Sequence, residues 1–479
     1  SLGSAVITDR EGKLLLDTTD GRVYASDAFL RQATIHWLGD RQGNIRANAI
    51  GAYTSEIVGF DRIDGVYSYA DACGEAALTL SARVQTVALR AMAGRKGTVA
   101  VYNYKTGEIL CAVSTPTYDP DNVPNIGSDT SGIYEGVYMN RFTQTTYPPG
   151  SIFKIVTTAA ALDCVEGILD MRFTCDGVQE FGVDRVTCER AHGTLDLKTA
   201  LAKSCNCCFA QIAQLIGNEK MTEYVEKFQI MDSVFFDGIS TVTGNFDLSD
   251  AAPVELAWAC IGQYTDMINP CRYMTFMGAI ANGGTAAIPH LVEEIRVGRE
   301  VTYDCETVFS ERIMPKELAD TLISYMRNNV ISTYGADHFP GLTVCAKSGT
   351  SELGGGRTPN AMFAGFVADE EYPLAFIVVV ENGGYGEDHV IAYDNGITAV
   401  QALVNGQIDA VIIDNAPAQA FVDANPGLTL LDGEWALENY AIGFTKGNTE
   451  LVEAVNGALA ELIADGTVQS IVDKYISAE

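Results

Sequence analysis

Tyr147-Pro148-Pro149-Gly150-Ser151-Ile152-Phe153-Lys154 places a serine and a lysine three residues apart, just ahead of the apolar pair Ile155-Val156. Pro-Pro-Gly ends whatever precedes it, and the apolar spacing that follows predicts a helix over Ser151–Leu162. In a helix three residues is about one turn, so Lys154 stands beside Ser151 on one face. A serine hydroxyl is a poor nucleophile unless a base lies within hydrogen-bond reach. Lysine can be that base only when burial or a second cation lowers its pKa. Taken alone, S-x-x-K is a cheap pattern that more often marks a helix surface.

Two further motifs follow in order, Ser204-Cys205-Asn206 and Lys347-Ser348-Gly349-Thr350. Singly they read as a turn and a loop. Together, beside the apolar runs Ile155-Val156 and Cys207–Ile212, they supply the parts of an acyl-transferring serine site. Ser151 is the nucleophile, Lys154 its base and Lys347 the second cation. Ser204 can relay a proton to a leaving amine, and Asn206 can hold Lys154 and a substrate amide. Ser348, Gly349 and Thr350 form a substrate-binding strand on whose edge Gly349 lets an extended substrate backbone approach. The N–H groups of Thr350 and Ser151 can make an oxyanion hole.

Composition bounds the protein that carries this site. With 479 residues and 47% apolar side chains the chain can bury a sizeable core, in two or three domains. Its 62 acidic against 31 basic residues argue against nucleic acid or an anionic membrane surface as partner. No apolar run of about 18 residues and no signal-peptide pattern at Ser1 is present, so the expectation is a soluble piece of a longer exported or anchored protein. The 12 cysteines form no small-domain framework, and no C-x-x-C pair is matched by a second pair or by an H-x-x-x-H. The expectation is free buried thiols, no metal and no cofactor, with His36, His192, His290, His338 and His389 structural or on the surface.

Residues 1–78 hold short strand-like runs (Ala5–Thr8, Lys13–Leu16, Arg22–Tyr24) around the turn Asp9-Arg10-Glu11-Gly12, and predict a small β-rich pedestal-like unit. Residues 79–390 predict the catalytic domain. A helix over Thr79–Ala93 precedes the hairpin Gly97–Tyr102 and Glu108–Ser114, and the apolar runs Asn360–Val367 and Leu374–Val380 lie far downstream. The middle predicts helices over Leu195–Leu215 and, as one or two, over Pro253–Ala281. The implied fold is α/β of the α+β type: one antiparallel sheet built from both ends of the domain and flanked by the helical middle. Residues 391–479 change character, with 13 acidic residues against two lysines and neither arginine nor cysteine. Their pattern predicts an α/β segment: helices Thr398–Val404, Pro417–Asp423 and Asn448–Asp465, and strands Ile408–Ile413, Thr429–Leu431 and Tyr440–Thr445.

From Ser4 to His389 the chain resembles the D,D-transpeptidase domain of class B penicillin-binding proteins. The likeness rests on the three motifs, on Asp9-Arg10-Glu11-Gly12 and Asn140-Arg141, and on the approach Tyr147-Pro148-Pro149-Gly150. Cys188 to Cys205 through His192-Gly193, Ile261-Gly262-Gln263, Ala281-Asn282-Gly283-Gly284 and Glu381-Asn382-Gly383-Gly384 extend it. The resemblance implies the serine penicillin-recognising fold and a peptidoglycan transpeptidase. That enzyme forms an acyl-enzyme on Ser151 from the D-alanyl-D-alanine end of a stem peptide, passes it to a neighbouring amine, and is acylated and inhibited by β-lactams. It further implies an extracytoplasmic place in a bacterial cell envelope, a membrane anchor outside this sequence, and cell-wall synthesis proteins as partners. Ser348 stands where many relatives have threonine and keeps the hydroxyl. From about Tyr393 the chain instead resembles the C-terminal part of an amino-acid-type periplasmic solute-binding protein, through Val404-Asn405-Gly406-Gln407-Ile408-Asp409-Ala410, Ile413-Asp414-Asn415-Ala416-Pro417 and Ala441–Gly447. In that family the position of Asp414 contacts the ligand amino group. This segment lacks most of both lobes, so the expectation is a structural piece with Asp414 unliganded.

Alternatives remain at this stage: a sensor or binding protein without efficient turnover, a serine β-lactamase, or a D,D-carboxypeptidase. The first predicts ligand-dependent stability without turnover, and the second requires a deacylating base that no glutamate identifies itself as.

Overall fold

In the computed structural model the strand Leu374–Val380 lies antiparallel to Gly97–Asn103, with Val378 opposite Val99 and Phe376 opposite Val101. The two ends of the catalytic region thus meet in one sheet, as their apolar, β-prone composition implied. The structure describes residues 5–46, 48–58, 60–61, 66–67, 73–354, 356–384, 396–404, 411, 413, 415–430, 456–457, 462–463, 465–467 and 470. The sheet runs Val344–Ser351, Asn360–Val367, Leu374–Val380, Gly97–Asn103, Ile109–Thr115, every neighbour antiparallel, with Val344–Ser351 at an edge.

Successive strand residues face opposite sides of a sheet, and both sides here are covered. Cys111 and Val113, with Val99 and Val101, pack on Ala33, Ala88 and Leu89 of the helices Ala28–Leu38 and Ala82–Met92. The second helix starts later than the apolar spacing suggests, because the Ser81 side chain accepts the Val84 N–H and caps it. Ala100, Tyr102, Ala364, Phe366 and Ile377 face the helical layer. Its central helix, Pro270–Ala281, is buried along nearly all its length, with Arg272 satisfied by the Gln229 side chain at 2.9 Å. Burying each large apolar side chain contributes about 1.5–3 kcal/mol. The same alternation decides the edge strand. Lys347 shares the face of Ala364 and Ile377, towards the helices, while Ser348 shares that of Phe363, on the other side.

A second sheet has the order Glu300–Asp304, Val292–Val297, Gly74–Leu78, Ala5–Thr8, Leu14–Asp17, Val23–Tyr24. Only the pair Ala5–Thr8 with Gly74–Leu78 is parallel. The N-terminal strands therefore share a sheet with residues 292–304 from beyond the helical middle. The turn foreseen at Asp9-Arg10-Glu11-Gly12 is present. Buried Asp9 accepts the N–H groups of Glu11 and Lys13 on one oxygen and that of Ala82 on the other.

Two helices depart from the sequence reading, and a third stretch, expected as one helix or two, is settled as two. Ser151 lies in a 3-10 turn, Gly150–Phe153, that feeds the α-helix Lys154–Cys164. Pro253–Ala281 is two helices, Pro253–Ile261 and Pro270–Ala281. Leu195–Leu215 is not one helix but Leu197–Ala202 and Asn206–Ile216, broken at Ser204. The break is a helix-terminating Schellman turn: Ser204 N–H bonds Leu201 O, Cys205 N–H bonds Ala200 O, and Ser204 takes the left-handed conformation with φ +51°.

The chain divides into two units, Ser1–His389 and Val390–Glu479. In the second, the helices Gly396–Val404 and Asn415–Ala424 contain the expected Thr398–Val404 and Pro417–Asp423. Thr429 and Leu430 are described without strand. The strand and helix expected over Tyr440–Thr445 and Asn448–Asp465, most of Ile408–Ile413, and Asp414 and His389 lie outside the described residues or largely so. No helix among the described residues is long and apolar enough to cross a membrane.

Candidate active site

The eight residues that the motifs single out are brought to one place. The Gly150–Phe153 turn presents Ser151, and the first residue of the following helix, Lys154, is wholly buried beside it. Lys154 Nζ lies 3.0 Å from Ser151 Oγ, 2.7 Å from Ser204 O, 3.1 Å from Ser204 Oγ and 2.7 Å from Asn206 Oδ1. The Asn206 amide is oriented by its other end, since Nδ2 donates to Thr187 O at 3.0 Å. Lys347 Nζ, also buried, reaches Ser204 Oγ at 3.0 Å and Ser348 O at 2.8 Å.

Two of the acceptors around Lys154, Ser204 O and Asn206 Oδ1, can only accept. A neutral amine has two N–H groups and one lone pair. Satisfying both carbonyl oxygens uses both N–H groups and leaves the lone pair for the Ser151 hydroxyl. Burial, and then the charge on Lys347, bring the Lys154 pKa down to about 7, so the neutral form is accessible near neutral pH. Among the described residues no carboxylate hydrogen-bonds Ser151 Oγ or Lys154 Nζ.

The Gly150–Phe153 turn and the edge strand approach so closely that glycines line the contact. A Cβ on Gly150 would stand 2.1 Å from Thr350 O, one on Gly349 2.9 Å from Ile152 Cγ2 and 3.0 Å from Pro149 O, and one on Gly262 2.3 Å from Gly150 O. Gly150 N–H bonds Gly262 O, and Gln263 Nε2 donates to Thr350 O at 3.0 Å. An extended residue directs its N–H and C=O to the same side. The Thr350 N–H therefore faces the Ser151 turn, where the oxyanion hole was expected. Glu381, just beyond Leu374–Val380, accepts from Arg141 Nε at 2.7 Å and Tyr147 OH at 2.8 Å, which ties the approach segment to the sheet.

Sequence reasoning missed two features. Tyr334, in a π-turn at the end of the helix Lys316–Asn329, accepts the Ser348 N–H at 2.8 Å and lies 3.0 Å from Ser348 Oγ. And the cysteines and histidines are not all scattered. Cys175, Cys188, His192 and Cys205 bring their ligand atoms within 4.8 Å of one another, directly behind Ser204 and Asn206. Ligand spacing along the sequence, on which the expectation of free buried thiols and a structural or surface His192 rested, does not reveal this meeting.

The penicillin binding protein transpeptidase domain model matches residues 97–399. The chain belongs to this family. Relatives include the peptidoglycan D,D-transpeptidase PbpA of Mycolicibacterium smegmatis, 28% identical over 338 residues, with 65% of this chain and 68% of the relative covered. Stage V sporulation protein D of Bacillus subtilis is 28% identical over 325 residues, covering 64% of this chain and 49% of its own length. Among solved structures, the D,D-transpeptidase domain of a peptidoglycan glycosyltransferase from Eggerthella lenta superposes with a TM-score of 0.69 at 26% identity, covering 81% of this chain and 95% of that one. Penicillin-binding protein A from M. tuberculosis, as its ceftriaxone acyl-enzyme complex, has the same fold, with a TM-score of 0.69 at 23% identity over 79% of this chain and 93% of that one. The mixed fold with an antiparallel sheet flanked by helices is the transpeptidase fold.

Proposed function

We propose that the protein is a serine D,D-transpeptidase of peptidoglycan, with Ser151, Lys154, Ser204, Asn206 and Lys347 catalytic and Ser348, Gly349 and Thr350 binding the donor peptide. The observation that carries this reading is the Lys154 amine, its N–H groups claimed by Ser204 O and Asn206 Oδ1 and its remaining valence turned to Ser151 Oγ at 3.0 Å. Lys154 accepts the Ser151 proton as Oγ bonds to the carbonyl carbon of the penultimate D-alanine. The charge on the carbonyl oxygen is met by the N–H groups of Ser151 and Thr350. The C–N bond then breaks, and the leaving D-alanine takes a proton through Ser204, which touches both lysines. An amine of a second stem peptide attacks the ester, gives up its proton along the same path and releases Ser151. In a β-lactam the amine leaving on ring opening stays tethered to the acyl group, which blocks the second attack.

The lack of a carboxylate on Ser151 or Lys154 among the described residues favours a long-lived acyl-enzyme over β-lactamase turnover, which needs a base for water. The division into residues 1–78, 79–390 and 391–479, the likeness of the last to a solute-binding protein, an extracytoplasmic location and cell-wall synthesis partners are part of the same proposal. A fluorescent penicillin tests it. Covalent labelling that Ser151→Ala abolishes, with negligible nitrocefin turnover, is the expected result, and an unlabelled wild-type protein overturns it.

A further inference from the structure

We propose that Cys175, Cys188, His192 and Cys205 form a closed, structural zinc site that fixes the Ser204-Cys205-Asn206 turn. Tetrahedral zinc, with Zn–S about 2.3 Å and Zn–N about 2.0–2.1 Å, requires sulfur–sulfur edges of about 3.8 Å and sulfur–nitrogen edges of about 3.6 Å. Cys188 Sγ stands 3.8 Å from Cys205 Sγ, and Cys175 Sγ 3.6 Å from His192 Nδ1. All four atoms lie within 4.8 Å of one another. A disulfide would need the sulfurs at about 2.05 Å. Cys207 and Cys208 stay outside the cluster, their sulfurs set 3.8 Å from Val186 O and Phe173 O.

Two of the three ligand sulfurs accept backbone N–H groups. Cys205 is the N-cap of the Asn206–Ile216 helix, and its sulfur accepts the Cys208 N–H at 3.5 Å; Cys188 Sγ accepts the Cys207 N–H at 3.4 Å. The partial positive charge of a helix N-terminus offsets negative charge there. On binding, the three thiols release their protons to solvent and His192 ligates as neutral imidazole, so the zinc with its three thiolates carries one net negative charge. Three sulfurs and one imidazole nitrogen on a tetrahedron suit zinc. All four positions are filled by protein, which leaves no open position for catalysis.

Such a staple has a mechanical use. Between the Lys154–Cys164 helix and Leu197–Ala202 the chain makes an excursion of two-stranded ribbons, Phe173–Cys175 with Gly193–Leu195 and Val178–Phe181 with Asp184–Thr187. The second ribbon is largely exposed, with Val186 its one buried residue. Thr187, next to Cys188, supplies the carbonyl that orients the Asn206 amide. A metal joining Cys175, Cys188 and His192 of the excursion to Cys205 therefore holds Asn206 Oδ1 on Lys154. The four ligands are positioning residues, and only their effect on acylation rests on the transpeptidase reading.

The test is metal analysis of the full chain purified under reducing conditions with zinc present. About one zinc per chain is expected, and the cobalt-exchanged protein should show thiolate-to-cobalt charge-transfer absorption. Cys188→Ser and His192→Ala should lose metal to a chelator that the wild type and Cys305→Ser withstand, and His192→Cys should retain it. Removing the metal should slow acylation by a fluorescent penicillin about tenfold or more, and zinc should restore it. A wild-type protein without stoichiometric metal, metal binding indifferent to Cys188→Ser and His192→Ala, or a Cys188–Cys205 disulfide persisting in reducing buffer overturns the site. Unchanged acylation on metal removal overturns its positioning role. Zinc binding in a protein that penicillin never labels supports the site and sinks the transpeptidase reading.

Discussion

Lys154 and Lys347 converge on a single oxygen: Ser204 Oγ lies 3.1 Å from the first amine and 3.0 Å from the second. Two buried ammonium groups so close repel, and burial and then the charge on Lys347 bring the pKa of Lys154 down to about 7. Only its deprotonated form is a base, so the acylation rate constant should rise with pH through about 7. Removing the neighbouring cation in Lys347→Met raises the Lys154 pKa, so the rising limb should move to higher pH. A limb that moves to lower pH contradicts the pairing.

Asn206→Asp places a carboxylate where Oδ1 now accepts from Lys154. An opposite charge at that distance favours the ammonium by about 1–3 pH units. Acylation near pH 7 should fall by about 10–10³-fold and recover in part in alkaline buffer. Asn206→Ala, which adds no charge, should lose rate without that upward displacement. Penicillin acylation rates across pH distinguish the two.

Gly150→Ala inserts a methyl group 2.1 Å from Thr350 O at a residue with φ +54°. The left-handed conformation alone costs a non-glycine residue about 1–2 kcal/mol, and the clash forces the nucleophile turn away from the edge strand. Both thermal stability and acylation should drop. Gly127→Ala, where nothing lies within 4 Å, should leave both unchanged.

Tyr334→Phe removes the acceptor of the Ser348 N–H. Leaving a donor unpaired costs about 1–3 kcal/mol, so the second-order acylation rate constant should fall roughly 5–100-fold. The pH at which the limb rises should stay put, because the Tyr334 hydroxyl acts on Ser348 and the amine of Lys154 is held by Ser151, Ser204 and Asn206. A shifted limb would mean that the tyrosine acts on the base.

His36 gives a prediction about stability. Its ring is buried, with Nε2 donating to Val137 O at 2.8 Å and Nδ1 unpartnered, and burial lowers its pKa to about 4. An unfolded histidine protonates near pH 6.5, so between there and about 4 the unfolded chain binds more protons. The stability of neutral His36 is complete above about 6.5 and declines as pH falls towards 4, by up to about 3 kcal/mol. Urea unfolding at pH 7.5 and 4.5 should show a smaller acid loss in His36→Gln than in the wild type.

The candidate site residues were legible because chemistry dictates both residue type and spacing: a lysine one helical turn from a serine, followed in order by Ser204-Cys205-Asn206 and Lys347-Ser348-Gly349-Thr350. The contact of Gly349 with the Gly150–Phe153 turn was not, since that glycine was expected to admit a substrate backbone. The sheet was legible from β-branched composition at the two ends of the domain. The break at Ser204 was not. The apolar spacing of Leu195–Leu215 continues through it, and what stops the helix is tertiary: the Ser204 carbonyl is turned to the Lys154 amine. Tyr334 was hidden because its role depends on which strand a helix end abuts. The Cys175–Cys188–His192–Cys205 cluster was hidden because ribbon folding, and no local repeat, brings it together.

A helix terminated as at Ser204 ordinarily ends on glycine, which adopts positive φ without penalty. Keeping a hydroxyl there, at φ +51°, costs the fold about 1–2 kcal/mol. The Ser204→Gly protein would keep the turn, relieve that cost and have no oxygen between the two lysines. Any search for more heat-resistant versions of this enzyme that reads only melting temperature is therefore biased towards discarding the proposed proton relay.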